Sequence, residues 1–213
     1  LDRSASMTAG RPGRGKHDVL AELALVLARL FTRAGNRVGA LFFDTGILRV
    51  IPPGTTRRHV LRIGAELGRT ARPRGGATTD LAEMLDAAGR LARRRSLILV
   101  LSDFIGEGDW ERALMRLSRR HEVVALRIVD TADDVLPEAG LIVIEDAETG
   151  EQLIVDSADP LLRAGLRSAV DAREQRLATG MRRARVPIHR IDTDRDLTAA
   201  LVEVVASTRS RAR

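Results

Sequence analysis

The sequence predicts an α/β protein with a doubly wound, mostly parallel sheet. Strand-length apolar runs alternate with helical segments along nearly all of its 213 residues, which is the pattern of a sheet covered by helices on both faces. The run 97–101 is apolar throughout, as expected of a parallel strand buried on both sides. Polar residues follow such runs, and open α/β sheets bind ligands beyond the carboxyl ends of their strands.

Periodicity and breaker residues give the elements of the first half of the chain. Proline cannot donate a hydrogen bond within a sheet, so Pro52 and Pro53 are expected to stop the second strand. A basic loop rich in glycine and proline then leads to Gly76. The predicted elements are helices over 17–33 and 56–67 and strands over 37–43 and 47–51.

The second half continues the alternation and adds a hairpin around Gly150. Asp80 and Glu83 fit a reciprocal cap at the start of a helix. The predicted helices cover 80–94, 109–119, 160–183 and 196–206, and the predicted strands cover 97–101, 122–129, 141–145, 152–156 and 186–191. The Arg-rich end, 207–213, is expected to be frayed. No linker divides the chain, so residues 1–213 are predicted to form a single domain.

Composition limits the classes of function. The chain has no cysteine, which fits a reducing compartment and leads us to expect a cytoplasmic location. No apolar run approaches the roughly 20 residues of a membrane span. The net charge of +6 could suit nucleic acid, but the basic residues are interleaved with acids and aromatic residues make up 2%, which argues against a nucleic-acid partner. Lys16 is the single lysine, and the use of arginine at every other basic position is interpreted as an effect of genomic base composition.

Asp2, Ser4 and Ser6 form the most informative motif. In an extended segment, alternate side chains point the same way, so one carboxylate and two hydroxyls would converge. Such hard oxygen donors suit Mg²⁺ or Mn²⁺. The alternative is that these are ordinary turn residues.

Three segments in order resemble the metal-ion-dependent adhesion site of von Willebrand factor A domains. They are residues 2–7 (Asp-Arg-Ser-Ala-Ser-Met), 75–81 (Gly-Gly-Ala-Thr-Thr-Asp-Leu) and 97–103, an apolar strand that ends in Asp. Further similarity over 35–43, 52–53, 93–97 and 145–151 narrows the resemblance to the bacterial family called domain of unknown function 58. Members of that family often accompany MoxR-type AAA+ ATPases.

The resemblance implies a Rossmann-like fold of the von Willebrand factor A type and a five-residue site. By analogy, Asp2, Ser4, Ser6, Thr79 and Asp103 would bind one Mg²⁺ or Mn²⁺, with Asp103 often acting through a water. A carboxylate from a partner protein would complete the site. The expected function is therefore a metal-dependent protein-binding module, an adaptor or chaperone partner of a MoxR-type ATPase, and not an enzyme.

The resemblance also bears on Leu1 and Asp44. A buried central strand should precede Asp2, yet only Leu1 does. The first strand is therefore expected to be truncated, and the sequence is compatible with a membrane anchor upstream of Leu1. Asp44 also ends a strand and is expected to serve a turn or to support the ligands.

The alternative function is a Mg²⁺-dependent hydrolase or phosphotransferase using the same pocket. A haloacid-dehalogenase-type enzyme needs a second Asp where this chain has Ser4. The sequence contains no Gly-x-Ser-x-Gly elbow and no Walker-type phosphate loop. No catalytic residue is therefore assigned.

Overall fold

In this computed structural model the chain is described over residues 1–8, 14–69, 80–106, 108–131, 133, 136–137, 139–145, 150–194, 196–197 and 201–202. Its helices are α1 (Ala5–Thr8), α2 (Lys16–Arg33), α3 (Arg57–Leu67), α4 (Leu81–Leu91), α5 (Trp110–Arg120) and α6 (Pro160–Ala184). Its strands are β1 (Val38–Phe43), β2 (Ile47–Gly54), β3 (Leu97–Ser102), β4 (Glu122–Val129), β5 (Leu141–Glu145), β6 (Gln152–Asp156) and β7 (Ile188–Asp192).

A three-stranded parallel sheet, in the order β3-β4-β7, forms the centre of the fold. Strands β1 and β2 pair in antiparallel fashion, and β5 and β6 form the predicted hairpin. Residues 1–3 lie between β1 and β3. The backbone N–H of Asp2 donates to Leu101 O at 3.0 Å, and that of Arg3 donates to Phe43 O at 2.7 Å. This short segment therefore joins the β1–β2 pair to the parallel sheet.

Helices cover both faces of the sheet, as the alternation along β4 shows. Val124, Leu126 and Ile128 belong to a buried cluster with apolar residues of α2 and α3. Val123 and Ala125 belong to a second cluster with residues of α4, α5 and α6. Because successive strand side chains point to opposite faces, these two clusters are the two cores of a mixed α/β fold, as the sequence predicts.

Short polar residues begin several helices and explain where they start. Thr56 Oγ1 accepts from His59 N at 3.2 Å, and Asp159 Oδ1 accepts from Leu161 N at 2.8 Å. Asp80 Oδ1 accepts from the backbone N–H groups of Ala82 and Glu83. Each bond satisfies a donor that the first helical turn leaves unpaired.

Several predicted boundaries are wrong or untested. Strand β7 covers Ile188–Asp192 in place of the predicted 186–191. Strand β2 does not stop before Pro52 and Pro53 but continues to Gly54. It tolerates them because its described pairing is with β1 alone, and proline is accommodated on an edge strand. Helix α4 ends at Leu91, three residues before the predicted end. Most of the predicted helix over 196–206 and the tail 207–213 lie outside the described residues.

Candidate metal site

The N-terminal motif lies at the carboxyl edge of the sheet but is not extended throughout. Asp2 forms a parallel bridge with Phe43, whereas Ser6 lies in the helical turn α1. The prediction that all three side chains converge by strand alternation is therefore wrong for Ser6, because the backbone turns after Ser4. The turn nevertheless brings Ser4 Oγ to 3.0 Å from Ser6 Oγ. Both side chains are buried.

Both carboxylate oxygens of Asp2 are held by hydrogen bonds. Oδ1 accepts from the backbone N–H of Ser4 at 2.9 Å, and Oδ2 accepts from Ser102 Oγ at 2.6 Å. Burial raises the pKa of Asp2 to about 6, and the charge of Asp103 adds to this effect, while the hydrogen bonds act in the opposite direction. The rise is what two carboxylates produce when they share a desolvated site.

Asp103 follows the last residue of β3 and is as deeply buried as Asp2. Its Oδ1 accepts from the backbone N–H of Ile105 at 3.0 Å, and its Oδ2 accepts from Lys16 Nζ at 3.0 Å. Its backbone carbonyl accepts from Arg127 Nε at 3.2 Å. Both oxygens of the Asp103 carboxylate are therefore held by hydrogen bonds.

The donor set fits a small hard cation. Neighbouring oxygens around octahedral Mg²⁺ at about 2.0–2.1 Å lie about 2.9 Å apart, close to the 3.0 Å between Ser4 Oγ and Ser6 Oγ. The carboxylates of Asp2 and Asp103 would balance a divalent charge. Within the described part of the chain, no group of three or more His, Asp or Glu side chains could hold a metal. A site here would therefore depend on hydroxyl ligands as well as carboxylates.

Thr79, the fifth predicted ligand, lies outside the described residues. The neighbouring Asp80 caps α4 through its side chain, as predicted, although no return bond from Glu83 is seen. Gly108, in the loop that follows Asp103, lies close to Asp80, since a β-carbon added to Gly108 would be 3.7 Å from Asp80 Oδ1. The start of α4 is therefore next to this loop.

Lys16 is the most important residue that the sequence interpretation missed. It is 2% exposed, and its Nζ lies 3.0 Å from Asp103 Oδ2 and 2.7 Å from Asp133 Oδ2. Burial by itself would lower the pKa of Lys16, but the carboxylates of Asp103 and Asp133 outweigh it and raise that pKa. The available signal is that Lys16 is the single lysine of the chain, and its burial between two carboxylates shows that base composition is not a sufficient explanation.

Ser102 and Arg127 were also missed. Ser102 is fully buried, and its Oγ both donates to Asp2 and accepts from the backbone N–H of Phe104 at 2.9 Å. Phe104 has a φ of 56°, a left-handed conformation that is uncommon for a bulky residue. The guanidinium of Arg127 joins the Asp103 carbonyl to the carboxylate of Glu174. These contacts hold the loop after β3 in one shape.

Arg3, between the two predicted ligands Asp2 and Ser4, serves the packing of α3. Its guanidinium donates to the carbonyl oxygens of Leu67 at 3.2 Å and Arg69 at 2.6 Å, at the C-terminal end of that helix. Arg3 is 3% exposed. The motif therefore anchors a helix on one side and offers oxygen ligands on the other.

Asp44 and His59 make contacts that connect elements of the fold. Asp44 is buried, and its backbone N–H donates to Gly46 O at 3.0 Å in the turn between β1 and β2, which fits the expected role in a turn. A ring nitrogen of His59 lies 2.7 Å from Val38 O and links α3 to β1.

The chain is a mixed α/β domain whose N-terminal motif and β3 end place oxygen donors at one edge of the sheet. It belongs to the family described as protein of unknown function DUF58, which matches residues 1–176, and the family prediction is confirmed. It is 34% identical over 209 residues to the uncharacterized protein Rv1480 of Mycobacterium tuberculosis and, equally, to Mb1516 of Mycobacterium bovis. The match covers 98% of this chain, which spans 66% of the length of those relatives.

A solved structure has a similar fold. The conserved hypothetical protein BatB from Bacteroides thetaiotaomicron superposes with a TM-score of 0.55 at 14% identity, covering 100% of this chain and 96% of that one. At this identity the likeness concerns the fold alone. Among the described residues, none of the helices has the length and apolar character that crossing a bilayer requires.

Proposed function

We propose that this domain is a metal-dependent protein-binding module of the von Willebrand factor A type. The observation that carries the proposal is the burial of Asp2, Ser4, Ser6 and Asp103 at the carboxyl edge of the sheet. Ser4 is bonded to Asp2 and to Ser6, and the charge of Asp103 acts on Asp2. Mg²⁺ or Mn²⁺ would be held by these residues, with Thr79 as a further ligand, and would supply an electrophilic centre. The segment 1–3 between β1 and β3, with helices on both faces, supports this assignment of fold.

The chemistry of the donors favours binding over catalysis. Neutral hydroxyls from Ser4 and Ser6 leave more of the ion's charge uncompensated than additional carboxylates would. Such an ion attracts an anionic oxygen, and Mg²⁺ readily keeps positions for exchangeable ligands. The proposed partner therefore presents an Asp or Glu side chain. A MoxR-type AAA+ ATPase in the cytoplasm is the proposed partner, because the family resemblance implies that association.

The basic test measures Mg²⁺ and Mn²⁺ binding by titration calorimetry on the purified chain. One equivalent of ion should bind to the wild type and not to Asp2→Ala. Asp86→Asn is the matched control, because Asp86 is a partly exposed carboxylate that pairs with Arg116. Equal ion affinity in wild type and Asp2→Ala would refute the proposed site. Turnover of a generic phosphate ester by the loaded wild type would favour the hydrolase alternative instead.

A further inference from the structure

Lys16 occupies a position that both burial and helix electrostatics oppose. It is the first residue of α2, where the helix dipole favours negative charge over positive. It is also 2% exposed, and lysine is almost never buried to that extent unless it is paired. Nothing about the stability of α2 requires a cation here. The reason for Lys16 must therefore lie in what its ammonium group contacts.

The ammonium group contacts two carboxylates with different surroundings. Asp103 Oδ2 lies 3.0 Å from Nζ in a side chain that is 2% exposed, whereas Asp133 Oδ2 lies 2.7 Å away in a side chain that is 28% exposed. Asp103 belongs to the proposed ion site, and Asp133 lies in the segment that follows β4. One positive charge is thus shared between a proposed ligand and an acid closer to solvent.

The choice of lysine also carries information. The chain has 35 Lys and Arg residues, and Lys16 is the single lysine. An ammonium group is a compact point charge with three donors, whereas a guanidinium is a broad planar fork. A compact cation suits a buried place between two carboxylates.

We propose that Lys16 sets the ion affinity of this site by neutralising Asp103 while no ion is bound. The inference rests on the proposed function, since it concerns the same site. The ammonium group stabilises the ion-free fold, because it prevents Asp103 from being buried as an unpaired charge. It also opposes the ion, because two cations then compete for the same carboxylate. Asp133 limits this competition by drawing part of the ammonium charge away from Asp103.

The two acid contacts predict opposite effects for two substitutions. Lys16→Met removes the competing charge while keeping an unbranched side chain, so Mg²⁺ affinity should rise roughly tenfold or more. Its midpoint of thermal unfolding in EDTA should fall below that of the wild type and should recover when Mg²⁺ is added. Asp133→Asn leaves the ammonium group to Asp103 alone, so Mg²⁺ affinity should fall roughly threefold or more.

The experiment is Mg²⁺ titration calorimetry with thermal unfolding in EDTA and in Mg²⁺, on the full chain. Arg116→Met is the matched control, since it removes a cation from an exposed ion pair with Asp86 and should leave the affinity unchanged. If the wild type binds Mg²⁺ and Lys16→Met binds it with the same affinity, the proposed role of Lys16 is refuted, while the proposed metal site is not. Tightening of equal size in Arg116→Met would overturn it too, because the effect would then be one of net charge.

Absence of ion binding in the wild type and in Lys16→Met alike would refute the proposed function together with this inference. Binding that appears only in Lys16→Met would support the inference. If Lys16→Met does not fold, Asp133→Asn decides. Its partly exposed side chain tolerates the change, and an affinity equal to or higher than that of the wild type would overturn the proposal.

Discussion

Ser102 donates a 2.6 Å hydrogen bond to Asp2, although the two residues are 100 positions apart in the chain. The bond connects the end of β3 to the N-terminal motif. The other carboxylate oxygen of Asp2, Oδ1, accepts a hydrogen bond from the backbone N–H of Ser4. Ser102 Oγ also accepts from the backbone N–H of Phe104. One buried hydroxyl therefore aligns the proposed metal ligand and the loop that carries Asp103.

Replacing Ser102 with Ala should weaken ion binding without removing any ligand. Outer groups that orient a metal ligand typically contribute about 10- to 100-fold in affinity, and calorimetry should show a loss within that range. The free energy of unfolding should fall by about 1–3 kcal/mol, because the buried N–H of Phe104 loses its acceptor. Chemical denaturation measures this change.

Ser96→Ala is the control for that substitution. Its hydroxyl donates to Arg94 O at 2.8 Å on the exposed approach to β3, so stability should stay within about 0.5 kcal/mol and ion affinity should not change. Equal losses in Ser96→Ala and Ser102→Ala would contradict the role assigned to Ser102.

The ligands themselves should differ in strength according to their charge. Asp2→Ala deletes a buried carboxylate and should reduce Mg²⁺ affinity by roughly 100-fold or more. Ser4→Ala and Thr79→Ala delete neutral donors, and each should cost less. Calorimetry on the three variants gives the order directly. A larger loss in Thr79→Ala than in Asp2→Ala would be inconsistent with a site dominated by carboxylates.

The effect of Mg²⁺ on stability should depend on pH through Asp2. Its pKa is raised from 3.8 to about 6 in the fold, so the ion-free folded state binds a proton more tightly than the unfolded state does. The free energy of unfolding without ion should therefore fall by up to about 3 kcal/mol as the pH rises from about 4 to above 6. Mg²⁺ requires the charged carboxylate, so its stabilising effect should grow over the same range.

The measurement is the difference in unfolding midpoint between Mg²⁺ and EDTA at several pH values from 4 to 7.5. Asp2→Asn is the control, because its side chain stays neutral and should abolish the growth of that difference. If the difference grows as much in Asp2→Asn as in the wild type, another group is responsible.

Arg3 gives a prediction about stability alone. Its guanidinium holds carbonyl oxygens of Leu67 and Arg69, and hydrogen bonds to charged groups contribute about 1.5–3 kcal/mol each. Arg3→Met removes both bonds and should therefore lower the free energy of unfolding by about 3 kcal/mol or more in chemical denaturation. Mg²⁺ affinity, measured by calorimetry, should change little, because the side chain points away from the ligands. A loss of affinity comparable to that in Asp2→Ala would contradict this separation of roles.

Local patterns in the sequence were enough to predict most elements but few of the contacts that build the site. Strand β4 and the hairpin strands β5 and β6 match their predicted ranges residue for residue, because apolar period and turn residues are local signals. The turn at Ser6 was missed, since four residues give too short a pattern. Lys16 was missed for a different reason. Its contact with Asp103 spans 87 positions, and no local period indicates such a pairing.

A partner protein should bind this domain through the ion. If the ion's exchangeable position takes a carboxylate from another protein, capture should require Mg²⁺ or Mn²⁺ and should proceed without catalytic turnover. EDTA should then release the partner while both proteins stay folded, because an ion bridge is removed and no packing is lost. Replacing the contacting Asp or Glu of the partner with its amide should have the same effect as EDTA.

Asp103→Asn sharpens this test, because it removes a charge and keeps the shape of the side chain. Its amide oxygen can still accept from Ile105 N, so the loop should persist, but Lys16 loses its buried anionic partner and the ion loses half of its carboxylate charge. Capture of the proposed MoxR-type ATPase should therefore fall toward the level seen in EDTA, even if some ion still binds. Asp86→Asn, as a surface control, should capture normally. Equal recovery with Mg²⁺, with EDTA and with Asp103→Asn would mean that partners dock elsewhere and that the site serves the fold alone.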